Sequence, residues 1–174
     1  MFGSPYVATA IRFVVLAALQ VVVLSRIGVG EGWSPYVQVL LYPLVILLLP
    51  VGMPTAVVLV LAFALGLTVD VFLGTYGMHA AALVVTGFAR SLVLAVLEPR
   101  EGYAVEQVAN RATFGWRWFA AYAALLMGVH TLAFFSIEVF TFVFFGEILL
   151  RALGSFCVSM LLILLYALVL DPKT

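Results

Sequence analysis

Between Thr55 and Leu97 the only side chains of fixed charge are Asp70 and Arg90. A stretch so long and so apolar has no water-soluble fold that hides it. In lipid every backbone N–H and C=O must bond internally, so the chain has to form helices or a closed barrel. Apolar runs of about 20 residues are helix length, not strand length. The rest of the chain agrees. Of 174 residues, 66% are hydrophobic and 9% charged, with a mean hydropathy of +1.27. A soluble domain runs near 45–50% apolar and about 25% charged. Soluble and disordered classes are therefore excluded. Eight basic residues balance eight acidic ones, so there is no basic footprint for nucleic acid. The single cysteine, Cys157, excludes an intrachain disulfide and a multi-cysteine metal site.

The pattern predicts an all-α membrane protein, a six-helix bundle in one integral membrane domain. The expected spans are 7–24, 36–49, 55–73, 78–97, 118–135 and 148–170. At about 20 residues each they use roughly 120, which leaves no extramembrane domain. The first is read as a retained span, since no small-residue cleavage site follows it. Pro43 predicts a kink in the second. The segment Phe134–Phe145 is too short to span alone. Its alternating Val, Thr and Phe residues suit an interfacial piece or a protein-covered strand. Arg100, Arg111, Arg117 and Lys173 fall on one side of a six-span chain, so both termini are expected in the cytoplasm.

Within the spans few residues carry chemistry. Asp70 lies one turn from the end of its helix, on a four-residue stripe with Ala62, Gly66 and Gly74. Small residues at that spacing let a second helix approach closely. The spacing favours a structural role, with Asp70 bonding the backbone of Gly74 to Gly77 or the ring of His79. Arg90 returns to nearly the face of His79. Asp70, His79 and Arg90 are thus expected to form a structural polar cluster. Snorkelling toward the cytoplasm is the competing use of Arg90. Ala62, Gly66, Gly74, Gly77, Ala124 and Gly128 are expected at helix contacts, and Phe140 and Phe144 at a partner-binding surface. No catalytic constellation is found: Asp70 is the only Asp inside a span, and neither histidine sits in a His-Glu-x-x-His helix. Gly154-Ser155 lacks the second glycine of a nucleophile elbow. No metal or cofactor is expected.

The run from Phe63 to Ala82, with Gly66, Leu67, Asp70, Gly77, His79 and Ala80 in order, resembles the signature of the MreD family of rod shape-determining membrane proteins. The loop ending Phe114-Gly-Trp-Arg-Trp-Phe119, with His130 beyond it, is similar to the Bacteroidetes-type branch. The resemblance implies a non-enzymatic subunit of the cell-elongation machinery in the bacterial inner membrane. Its implied partners are the bitopic protein MreC, the RodA glycosyltransferase with its class B penicillin-binding protein, and membrane lipid. It also implies the fold of substrate-binding components of energy-coupling-factor transporters. The rival expectation is therefore a vitamin-type transporter subunit. Those components carry an Ala-x-x-x-Ala dock in the first span, which this chain lacks.

Overall fold

The computed structural model describes residues 5–24, 37–139 and 145–169. Seven helices follow in order: α1 (Pro5–Val22), α2 (Leu44–Leu47), α3 (Thr55–Leu73), α4 (Met78–Val96), α5 (Arg111–Phe114), α6 (Trp116–Val139) and α7 (Phe145–Val169). Among the described residues four stretches are long and apolar enough to cross a membrane: Thr55–Leu73, Met78–Val96, Trp116–Glu138 and Ile148–Val169. Their outward faces carry Val60, Phe63, Leu92, Leu132 and Leu161, all exposed. An apolar exterior of this kind is matched to hydrocarbon rather than to water.

The helices pack in sequence order: α3 on α4, α4 on α6, α6 on α7, with α1 against α3. The α3–α4 pair is an antiparallel hairpin, closest where Gly66 faces the backbone of Ala80. Any Cβ on Gly66 would run into the Cα of Ala80 and lie 2.7 Å from the carbonyl oxygen of His79. Lower in the same interface Gly87 faces Ala62, where an added Cβ would lie 3.4 Å from the Ala62 methyl. The connecting turn is left-handed at Gly74 (φ 70°) and Gly77 (φ 91°), where glycine carries no Cβ penalty.

The expected span 36–49 is not a helix. Residues 37–41 form no helix, and their hydrogen bonds alternate from side to side as in an extended chain; only the single turn α2 follows before Pro50. Pro43 and Pro50 explain why. Each removes a donor and biases the residue before it, Tyr42 or Leu49, toward extended backbone. The strip between them still lies at the centre of the molecule. Leu40, Tyr42, Leu44, Ile46, Leu47 and Leu49 are all fully buried. A second difference concerns the aromatic segment: α6 continues as helix through Val139, past the expected end at 135, and α7 starts at Phe145. Phe140 and Phe144, the expected partner-binding residues, lie outside the described residues.

The loop between α4 and α6 folds back on the α2–α3 connection. Val51 N–H donates to the Gln107 carbonyl (2.7 Å) and Gly52 N–H to that of Val105 (3.1 Å), beside an isolated bridge between Pro50 and Val108. Asn110 caps α5 by accepting from Thr113 N–H. Trp118 stacks on Tyr122 and donates from its indole nitrogen to the Leu97 carbonyl (2.8 Å). Tyr103 donates to the Leu94 carbonyl, and partial burial raises its hydroxyl above the usual phenol pKa.

Candidate functional site

An extended backbone inside an apolar bundle must find hydrogen bonds that no neighbouring strand supplies. Here side chains supply them from both flanks. On one side the Gln20 amide of α1 donates to the Val39 carbonyl (2.9 Å) and accepts from Leu41 N–H (2.9 Å). On the other, Ser155 and Ser159 of α7 accept from Gln38 N–H and Leu40 N–H (2.8 Å each). The alternation is that of a strand, and two serines four apart on a helix match its odd-even spacing.

The strip then runs along α4 from its first turn to Arg90. Near the start, Tyr42 bridges the two buried histidines: its hydroxyl lies 2.9 Å from His79 Nδ1 and 2.9 Å from His130 Nε2. His130 Nδ1 lies 2.9 Å from Thr86 Oγ1, which donates to the Ala82 carbonyl (2.8 Å). That last bond fixes the direction of the rest. With both imidazoles neutral, Thr86 has given its proton to Ala82, so it accepts from His130 Nδ1–H. His130 Nε2 is then bare and accepts from Tyr42 O–H, which accepts from His79 Nδ1–H. His79 Nε2 ends the chain as a buried acceptor with no partner among the described residues, beside the Phe134 ring at 4.7 Å between centroids.

Asp70 works on the other side of His79. Its carboxylate accepts from Thr75 Oγ1–H (2.5 Å), His79 N–H (3.0 Å) and Ala80 N–H (2.8 Å). It thereby caps the first turn of α4 from the end of α3, where a negative charge also meets the positive end of the helix dipole. The contact to His79 is through its backbone. Of the expected bonds to the backbone of Gly74 to Gly77, those from Gly74 N–H (2.8 Å) and Thr75 N–H (3.2 Å) are made, but to the Asp70 main-chain carbonyl rather than its carboxylate, and the imidazole ring is not a partner of the carboxylate.

Arg90 stands apart, eleven residues or roughly 16 Å further along α4. Its Nε donates to the Tyr122 hydroxyl (3.1 Å) and its Nη2 to the carbonyls of Leu49 (2.7 Å) and Pro50 (3.0 Å). Tyr122 donates in turn to the Leu47 carbonyl (3.0 Å). The guanidinium points inward and closes the lower end of the strip rather than snorkelling. The expected single cluster of Asp70, His79 and Arg90 is thus two stations: Asp70 with His79 at the head of α4, and Arg90 with Tyr122 near its foot.

The packing residues divide in the same manner. Ala62 and Gly66 lie in the α3–α4 interface. Gly74 and Gly77 shape the turn, and a Cβ at either meets nothing within 4 Å. Ala124 and Gly128 line an apolar cavity of about 210 Å³ between α6 and α7, with Ala152 and Phe156 opposite. Among the described residues no group of three or more His, Cys, Asp or Glu side chains converges to hold a metal. Sequence reasoning missed Gln20, Tyr42 and Tyr122. The available signals were a lone amide inside an apolar helix and a tyrosine immediately before a proline.

The fold and its buried polar strip define a helical protein of the membrane-spanning class. Comparison with protein-family models, curated proteins and solved structures returns no match to any of them.

Proposed function

We propose that this chain is a non-enzymatic membrane subunit of a bacterial cell-elongation complex, similar to MreD, that holds a bitopic MreC-like partner. The observation that supports it is how the signature residues are used. Gly66, Asp70, Gly77 and His79 jointly build one rigid hairpin: close approach, helix cap, left-handed turn and buried hydrogen bond. Such residues set a shape for a partner to dock on rather than perform a reaction. RodA and its class B penicillin-binding protein are then neighbours in the same assembly, in the inner membrane.

In this reading the strip 37–50 is a sixth crossing made without a long helix. It meets α4 at His79 through Tyr42 and at Arg90 through Leu49 and Pro50, so it follows that helix from its first turn to Arg90. Six crossings return both termini to the cytoplasm, the side of Arg100, Arg111 and Arg117. The groove at Ala124 and Gly128 is the docking face we favour, because membrane helices associate through close packing at small residues. The test is depletion in a rod-shaped host, together with photo-crosslinking from Leu132 and Leu149 beside that groove. Rounding of the cells and crosslinks to a single-span partner are expected. Normal rods, with a vitamin-sized solute retained by the purified protein, would replace this reading by the transporter one.

A further inference from the structure

Arg90 is only 3% exposed, yet every partner it has among the described residues is neutral: the Tyr122 hydroxyl and two backbone carbonyls. Those bonds use Nε and Nη2. Among the described residues, Nη1 with both its N–H groups has no protein acceptor, and no carboxylate lies within ion-pair distance of the guanidinium. A cation kept this deep in an apolar bundle pairs with an opposite charge, with backbone carbonyls or across a polar cavity, and the carbonyls here take only Nη2. Against the guanidinium lies a cavity of about 210 Å³, between the start of α3 and the end of α4. Thr55 and Ser91 give it polar walls, and Val58 and Leu94 an apolar floor. Its position is that of a headgroup: α3, at 19 residues, is about 28 Å long, close to the hydrocarbon thickness, and Thr55 is its first residue.

We propose that this cavity binds a phosphate-type oxyanion on Arg90 Nη1, a site independent of any protein partner. A planar guanidinium favours phosphate oxygens, and lipid phosphate is concentrated at this depth. The same chemistry is offered by an anionic phospholipid headgroup or by free phosphate. Glu98 also borders the cavity, two turns beyond Arg90. Its charge opposes an anion, so it lowers affinity without defining the site.

The experiment is thermal unfolding of the detergent-solubilised full chain, titrated with short-chain phosphatidylglycerol, short-chain phosphatidylcholine or inorganic phosphate. The wild type is expected to be stabilised by phosphatidylglycerol and not by phosphatidylcholine. A rise with inorganic phosphate as well assigns the site to phosphate from either source. Ser91→Trp fills the cavity but leaves the hydrogen bonds of Arg90 intact, since the Ser91 hydroxyl bonds only its own helix at Phe88. It is expected to weaken the anion response about tenfold or more, and Glu98→Gln to strengthen it. No response to either anion, an equal response in Ser91→Trp, or weaker binding in Glu98→Gln would overturn the proposal.

Discussion

Gly66 and Gly87 stand on facing helices of one hairpin, and the same substitution should act oppositely at the two. In Gly66→Ala the new methyl would lie 2.6 Å from the Ala80 nitrogen and 2.7 Å from the His79 carbonyl oxygen. Ordinary contact needs about 3.5–4.0 Å, so something must move by about 1 Å. The obstructing atoms are backbone, and they belong to the turn that Asp70 caps. Moving that turn stretches the bonds from His79 N–H and Ala80 N–H, now 3.0 and 2.8 Å, past the useful limit of about 3.2 Å. Overpacking costs about 1–3 kcal/mol, and a weakened bond to a charged group about 1.5–3 kcal/mol. Helix propensity returns at most about 1 kcal/mol. A net loss of about 1.5–5 kcal/mol follows, or a melting temperature lower by about 3–20 °C at this chain length. In Gly87→Ala the methyl would meet Ala62 Cβ at 3.4 Å and Leu59 and Val58 at 3.5 Å, all at van der Waals distance, so nothing need move. That variant should match or exceed the wild type. The assay is thermal unfolding in one detergent, followed by circular dichroism. Equal effects at the two sites, or a tolerated Gly66→Ala, would refute the packing and cap argument together.

Tyr42→Phe leaves His79 Nδ1 and His130 Nε2 both without partners, at about 1–3 kcal/mol for each buried group; unchanged unfolding in detergent would show the bridge to be absent. Asp70→Asn offers an N–H₂ where Ala80 N–H or the donors on the other oxygen now point, so it should destabilise by about 1–3 kcal/mol, and Asp70→Ala by more. Gln20→Leu strands the Val39 carbonyl and Leu41 N–H together, and should cost more than Ser155→Ala, which frees Gln38 N–H alone; the reverse order in a melting comparison would contradict the flanking role. Reporter fusions at Thr174 and within the loop 98–115 should both read cytoplasmic, and a periplasmic signal at either removes the six-crossing topology.

The hairpin was legible because its information is local. Gly66, Asp70, Gly74, Gly77 and His79 lie within one helix end, one turn and one helix start, so four-residue spacing and glycine placement suffice to read them. The strip 37–50 was not. Hydropathy measures whether a segment belongs in an apolar interior, and here it does; it does not measure whether the backbone there is helical. Pro43 and Pro50, too close together for a full-length helix between them, carried part of that information. The remainder lay in Gln20, Ser155 and Ser159, and a serine more than a hundred positions away gives no local sign that it will bond Leu40. Arg90 was misread for a related reason: its face on α4 was visible, but the carbonyls it meets belong to the strip.

The two serines also set an order of events during synthesis. Residues 37–41 leave the ribosome long before Ser155 and Ser159 exist, and until then Gln38 N–H and Leu40 N–H lack the acceptors they use in the finished fold. Lipid cannot hold such groups open, so this stretch must wait in contact with water, a translocation channel or a chaperone until α7 arrives. The final helix therefore acts as the closing latch. A nascent chain cut before Ser155 has its α3–α4 hairpin complete but no means of seating the strip, and membrane quality control would meet it as an unfinished protein.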